Sequence, residues 1–200
     1  MIKYIQKYIP KNLSKYIQEN IINIIIFISV AYIVWINYGK KKLITIKLSN
    51  GETHSVRDMP DKKQAAKVMD EIKRRLKLLS TSVKDIDNGL LTERFKTTEI
   101  RETDLTESGT SYSVDKGKEL SICLRNKDTK EIHQINILMF VCIHEMAHLM
   151  SKSYGHNAEF NKNFKILLEK AISLGIYSNK DYSKENVEYC GMTIDNNPLF

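Results

Sequence analysis

The 200-residue chain is poor in the residues that punctuate disordered and fibrous proteins, with only 8 glycines and 3 prolines beside 42% apolar residues. That excludes a collagen-like or low-complexity chain and fits a folded protein of one domain with an appendage. Cysteine is scarce, and Cys123, Cys142 and Cys190 form no CxxC pair. Neither a disulfide framework nor a cysteine zinc site is expected, and a reducing environment is the simple inference. No internal repeat is visible. A broad basic field is missing too: the formal charge is +7, but seven lysines against Glu19 in residues 1–42 account for +6 of it. Residues 43–200 therefore lack the global field of a dedicated nucleic-acid binder, leaving only a local patch to consider.

What is present begins with a charge-free run of 16 residues, Ile21 to Ile36, interrupted by Asn23 and Ser29 and carrying Tyr32, Trp35 and, just beyond, Tyr38. At ~1.5 Å per residue it covers roughly 24 Å, slightly short of a ~30 Å hydrocarbon core unless its flanks extend it. The aromatic cluster matches an interfacial belt. The expectation is a single transmembrane helix at 21–38 after a basic amphipathic leader at 1–20, broken near Pro10. No small-x-small cleavage pattern follows the run, which argues against a signal peptide. Lysines flank it almost evenly. The Lys40–Lys42 cluster, and the absence of an Asn-x-Ser/Thr sequon from residues 43–200, place the body on the cytosolic side of a membrane. The lipid bilayer is then a partner through Ile21 to Ile36.

In the body, LITIKLSNGETHSV reads as a strand, a turn at Asn50-Gly51 and a second short strand. From Asp61 to Leu79, Ala65, Val68, Met69, Ile72, Leu76 and Leu79 recur at helical spacing. The opposite face carries Lys62, Lys63, Lys67, Lys73, Arg74, Arg75 and Lys77, a solvated face first and a phosphate-binding patch second. Residues 81–110 are turn-rich, with one short helix near Leu90 to Lys96. Ser111 to Val114 and Glu119 to Arg125 flank Asp115-Lys116-Gly117-Lys118, a hairpin signal. A helix is expected from about Ile135 to Ser153, its ILMFVCI centre apolar on every face and so running through the core.

That helix contains His144-Glu145-Met146-Ala147-His148. Residues four apart share a helical face, so two imidazoles can converge on one tetrahedral Zn²⁺ while the adjacent Glu145 reaches a water. Burying two histidines and a glutamate in so apolar a helix is costly without a metal or strong hydrogen bonds. Zinc needs a third protein ligand and an open fourth position. His156 is the first choice, with Gly155 turning the chain as a left-handed helix cap. Glu159 is the next, more in keeping with a supporting hydrogen bond to a ligand or to the turn; His133 and His54 are remote choices. Glu145 is read as the general base and not a ligand. Tyr154, Tyr112 and Tyr177 are oxyanion donors by proximity in sequence alone, with nothing to choose among them. Glu119 to Arg125 could receive a substrate strand at a sheet edge, or lie inside the sheet. Cys190 or Cys142 as a thiolate cap on the metal is a minor alternative to buried structural thiols.

HEMAH, then Gly155-His156, then Glu159-Phe160 resembles the WLM and SprT-like zinc metallopeptidases, with seven residues between His148 and His156. The wider stretch from SYSVDKGKELSICLRN to YCGMTIDNNPL is similar to WLM-like proteins of large nucleocytoplasmic DNA viruses, some of which carry an N-terminal hydrophobic segment. The resemblance covers about residues 43–199. It implies an α+β fold, a compact zincin-like domain over 43–200 with a small sheet packed on the HExxH helix, and, for cellular relatives, cleavage of proteins crosslinked to DNA. The combined expectation is a membrane-anchored peptidase with one Zn²⁺ acting on protein or peptide, in a host-cell or virion membrane if viral. A DNA-associated protease of the crosslink-repair type and a non-catalytic zinc-stabilised interaction domain are the alternatives, and nucleic acid is a less favoured partner.

Overall fold

The computed structural model describes residues 11–38, 43–104, 107, 110–182 and 184–200. The chain divides into two units, Met1–Lys41 and Lys42–Phe200.

In the first unit, α1 spans Lys11–Tyr38. Ile22 and Phe27 are among its exposed apolar side chains. The expected transmembrane helix is not supported: among the described residues, no helix is long and apolar enough to cross a membrane. The helix starts ten residues before the predicted span, taking in Lys11, Lys15, Gln18, Glu19 and Asn20. With Asn23 and Ser29 inside the apolar stretch, too little continuous hydrocarbon remains for a ~30 Å core. The single-pass location, the bilayer partner and the cytosol-facing orientation fall with that helix. Half of the expected leader belongs to α1, and residues 1–10, including the break near Pro10, lie outside the described residues.

The second unit is an α+β domain. Strands β1 (Leu43–Lys47), β2 (Thr53–Arg57), β3 (Glu99–Glu102), β4 (Tyr112–Val114) and β5 (Glu119–Ile122) form one sheet in the order β1-β2-β3-β5-β4. β1 and β2 form the hairpin at Asn50-Gly51, with Thr45 opposite Ser55, while β2–β3 and β3–β5 are parallel and β4–β5 antiparallel. The parallel β2–β3 step needs a crossover, which α2 (Lys62–Ser82) and α3 (Leu90–Lys96) provide. α2 buries Ala65, Met69, Ile72, Leu76 and Leu79, the stripe its periodicity dictates. The remaining helices are α4 (Ile135–Met150) and α5 (Ala158–Ser173), which buries Phe160, Phe164, Leu167, Leu168 and Ala171. A separate hairpin pairs β6 (Val187–Tyr189) with β7 (Met192–Ile194). Cys190 and Gly191 form its two-residue turn, both left-handed at φ +52° and +82°, as a type I′ hairpin demands.

Two devices tie the sheet to its surroundings, one to the start of α2 and one to the β6–β7 hairpin. Arg125, fully buried, donates through Nε to Glu102 Oε1 at 2.9 Å and pairs with Asp61, at the start of α2. Glu102 Oε2 accepts the Arg57 N–H at 2.7 Å. Removing one partner of such a buried pair costs about 3–5 kcal/mol. The second device is a disulfide between Cys123 and Cys190, 67 residues apart. It overturns the expectation of free thiols: neither sulfur can cap a metal, and the case for a reducing environment is gone. A loop of that length corresponds to about 4 kcal/mol of denatured-state entropy in the chain-entropy account. Cys142 is free and buried.

The β4–β5 turn is pressed against α4. Asp115, Lys116 and Gly117 are all left-handed, at φ +46°, +56° and +108°. A Cβ on Gly117 would fall 2.9 Å from Leu149 Cδ2 and 3.0 Å from its Cγ.

Candidate metal centre

α4 positions the first two histidines. Leu138, Met139, Ile143, Met146 and Ala147 are buried around them, and the His144 and His148 rings lie one turn apart with centroids 5.1 Å from each other. The helix ends at Met150, before the expected Ser153, because Ser151 is extended. Its carboxyl end is closed by cations, as the helix dipole favours. Arg94 donates to the Leu149 and Ser151 carbonyls at 2.5 and 2.9 Å, and the Lys116 ammonium reaches those of His148, at 3.4 Å, and Ser153. Gly155, at φ +79°, is therefore not the helix cap. It is a turn residue inside the loop that delivers His156.

Glu159 holds that loop. Its carboxylate accepts the Ser153 hydroxyl and the N–H groups of Lys152, at 2.9 Å, and Ser153, at 3.0 Å. These donors, the Ser153 hydroxyl first, hold the carboxyl well below the usual range, at about 2. Asn157 starts α5 by accepting the Phe160 N–H at 3.1 Å. Phe160 in turn packs on all three rings, with centroids 4.8, 4.4 and 4.7 Å from His144, His148 and His156.

The three imidazoles converge. His156 Nε2 lies 2.9 Å from His144 Nε2 and 3.2 Å from His148 Nε2. Tetrahedral zinc with Zn–N near ~2.05 Å places its ligand nitrogens about 3.3 Å apart, so this donor set fits the ion. Burial, and then the neighbouring His148 and His156, lowers His144 to about 3; burial, His156 and Lys116 lower His148 to about 4. Both rings are neutral at pH 7 and keep a lone pair to give.

Glu145 is only 6% exposed. Burial pushes its carboxyl up to about 7, against hydrogen bonds from the Ser113 hydroxyl and N–H that favour the charged form. Ser113 belongs to β4, which ends the sheet. β5 has neighbours on both sides, so of the two expected positions for Glu119 to Arg125 the interior one holds, and the free edge beside Glu145 is β4.

A cavity of about 520 Å³ opens beside His144, Glu145 and His156, and the one tyrosine on it is Tyr189. The Tyr189 hydroxyl is 2.5 Å from Ser111 Oγ. None of the tyrosines singled out in the sequence lines this cavity. Tyr154 is 79% exposed beneath the Lys116 ammonium, the Tyr112 hydroxyl accepts from Arg101, and Tyr177 is buried against Phe140. His133 packs on Tyr189, and His54 belongs to another group. Ser113 and Tyr189 escaped the sequence reading because 32 and 44 residues separate them from Glu145. A serine in a strand and a tyrosine before Cys190 carry no local signal of proximity to it.

Glu52, His54 and Asp70 form a second group of ligand-type side chains. There Lys73 Nζ bonds Glu52 at 2.8 Å, Asn50 bonds Asp70 at 2.9 Å, and His54 Nε2 lies 3.0 Å from the other Asp70 oxygen. The basic face of α2 is likewise largely matched: Lys62 pairs with Asp58, Lys73 with Glu52, and Arg74 and Arg75 with Glu71.

No family model matches the chain. It is 32% identical over 192 residues to "Uncharacterized protein R325" of Acanthamoeba polyphaga mimivirus, covering 90% of the chain and 97% of that protein. It is 36% identical over 92 residues to "Uncharacterized protein 136R" of Invertebrate iridescent virus 6, covering 44% of the chain and 49% of the relative. Among solved structures, Wss1 from Saccharomyces cerevisiae aligns with a TM-score of 0.45 at 18% identity, over 58% of this chain and 83% of Wss1.

Proposed function

The chain belongs to the family of the mimivirus protein R325, and for a member carrying this site we propose a zinc-dependent peptidase with His144, His148 and His156 as ligands and Glu145 as general base. The observation that carries the reading is the convergence of three imidazole nitrogens beside a buried carboxyl whose pKa is raised to about 7. When bound, zinc supplies Lewis-acid polarisation of the scissile carbonyl and acidifies the attacking water. Glu145 takes that water's proton and delivers it to the leaving amine, a transfer for which a pKa near the working pH is well matched. Ser113 orients the carboxylate. The free edge of β4 offers backbone groups to an extended peptide, aligning its carbonyl over the histidines. Glu159 keeps the His156 loop in place without ligating.

Metal analysis of the purified full-length chain, with casein cleavage assayed on the same samples, tests this. The wild type should carry one zinc; Glu145→Gln should keep it and lose activity by about 10²–10⁴-fold. Zinc that survives His156→Ala would sink the ligand set. Full activity in Glu145→Gln would sink the mechanism, and zinc without cleavage in any sample would favour a metal-stabilised binding domain.

A second reading, action on proteins attached to DNA, is favoured by one observation. A cleft of about 470 Å³ between α2 and α3 is lined by Lys73, Lys77 and Lys96 together with Thr81, Thr92 and Thr98. Lys73 is paired with Glu52 and the three hydroxyls donate to backbone carbonyls, so Lys77 and Lys96 are the groups this cleft would turn to a phosphate backbone. Cleavage stimulated by duplex DNA, lost steeply with added salt and blunted by Lys77→Glu with Lys96→Glu, would support it; indifference to DNA would exclude it.

A further inference from the structure

The cavity beside the histidines is larger than a water and a carbonyl require, and although Thr110, Asn161, Thr193 and Asn196 also border it, its facing walls are mainly apolar. Phe140 and Val141 of α4 and Phe160 and Phe164 of α5 form the inner side, while Met192 and Ile194 of β7 form the outer side. The charged side chain on its rim away from Glu145 and the histidines is Asp195, which is exposed. The outer wall is fixed in place. Cys190, in the β6–β7 turn, is bonded to Cys123 just beyond β5, and Tyr189 is anchored through Ser111, whose Oγ also accepts the Cys123 N–H at 3.0 Å. A preformed, largely apolar recess that borders the reacting groups rewards burial of apolar surface.

We propose that this cavity is the subsite for a bulky apolar side chain of the substrate next to the bond cleaved, and that Met192 and Ile194 set its preference. The proposal rests on the peptidase reading for the meaning of its position. Leu, Met or Phe would fill the recess, Ala would leave it empty, and Glu would enter a desolvating wall and face Asp195 at the rim. A β-hairpin held by a covalent bond lets the wall keep its shape when the recess is empty, so selectivity needs no closing motion.

The test uses fluorescently labelled octapeptides identical except for one central residue, Leu, Ala or Glu, titrated into the zinc-loaded full-length Glu145→Gln protein. Leu is expected to bind about 10-fold or more tighter than Ala, the scale of a few buried methylenes, and Glu weaker than Ala. Ile194→Glu and Met192→Glu should each remove the Leu advantage while zinc content stays at the wild-type value. Val141→Trp, which fills the recess, should turn the order toward Ala. Equal or undetectable binding across the series, or Glu binding best, would overturn the subsite. Because binding is read on the Glu145→Gln protein, failure of the wild type to cleave any of the peptides would strike the peptidase reading alone, and the binding order would still decide the proposal.

Discussion

In the Glu52–His54–Asp70 group each carboxylate has its own cation or amide, whereas the ring nitrogens of His144, His148 and His156 face one another. Both groups bring three ligand-type side chains within a few ångströms. The difference is in what satisfies them. An ammonium at 2.8 Å from Glu52 supplies in advance the positive charge an ion would bring, so the first group is complete as an ion-pair and hydrogen-bond network. The three Nε2 atoms face one another, and because a ring nitrogen either donates or accepts, three converging on one point cannot all be satisfied from within the set. Proximity of ligand residues is a weak criterion, and the absence of a competing partner is the stronger one.

The largest effect that would test the contrast is on metal affinity. His156→Ala should weaken zinc binding by more than about 100-fold, beyond the 10–100-fold typical of losing an outer hydrogen-bond partner, and His54→Ala should leave it within about two-fold. Competition with a calibrated chelator measures both, and equal losses would erase the distinction. The next effect is on acid stability of the metal-free protein. His144 and His148 lie below the ordinary histidine value when folded, so between about pH 3–4 and 6.5 these two rings bind more protons in the unfolded chain, an excess that the raised Glu145 carboxyl, protonated in the native state up to about 7, offsets only in part. Stability should therefore fall as pH is lowered through that window. Urea midpoints in EDTA from pH 7 to 4 should show this slope, flattened in His144→Ala. At neutral pH, His54→Ala should cost about 1–3 kcal/mol, since the buried ring leaves Asp70 short of a partner. Smallest is Lys73→Met, which removes an exposed pair and should shift stability by less than about 1 kcal/mol. That variant could still break the comparison: if it makes the Glu52–His54–Asp70 group take up zinc, the lysine alone kept the metal out.

The site was legible in the sequence where the required geometry is local. His144, Glu145 and His148 are fixed by one helical turn, and His156 follows within a short loop. What lay beyond reading depends on pairing over distance. The Cys123–Cys190 bond joins residues 67 apart, and the hairpin that carries it turns on Cys-Gly, not on the Asn-Gly or Asp-Gly that signals such a turn. The edge status of β4 followed from strand order, which neither strand's composition encodes. The N-terminal helix shows the opposite error. The apolar run 21–36, interrupted by Asn23 and Ser29, suggests a span by itself, but the helix that holds it also takes in Lys15, Glu19 and Asn20. In the body the stripe on α2 was legible because its period expresses which face is buried, whereas in β5 the alternation of Leu120 and Ile122 with Ser121 did not separate a buried face from an exposed one, since Ser121 is buried as well.

Gly117 has no side chain to offer any chemistry, yet that missing side chain sets the clearance between the β4–β5 turn and Leu149 of α4. The same turn holds Ser113 at one end and Lys116 at its centre, so a methyl group at position 117 would push the strand edge off the helix and move Ser113 away from Glu145. In a saturation mutagenesis screen for proteolysis, position 117 is therefore expected to tolerate as few replacements as Glu145 itself. Inactive alleles in such a screen would mark where the molecule has no room as well as where it has chemistry.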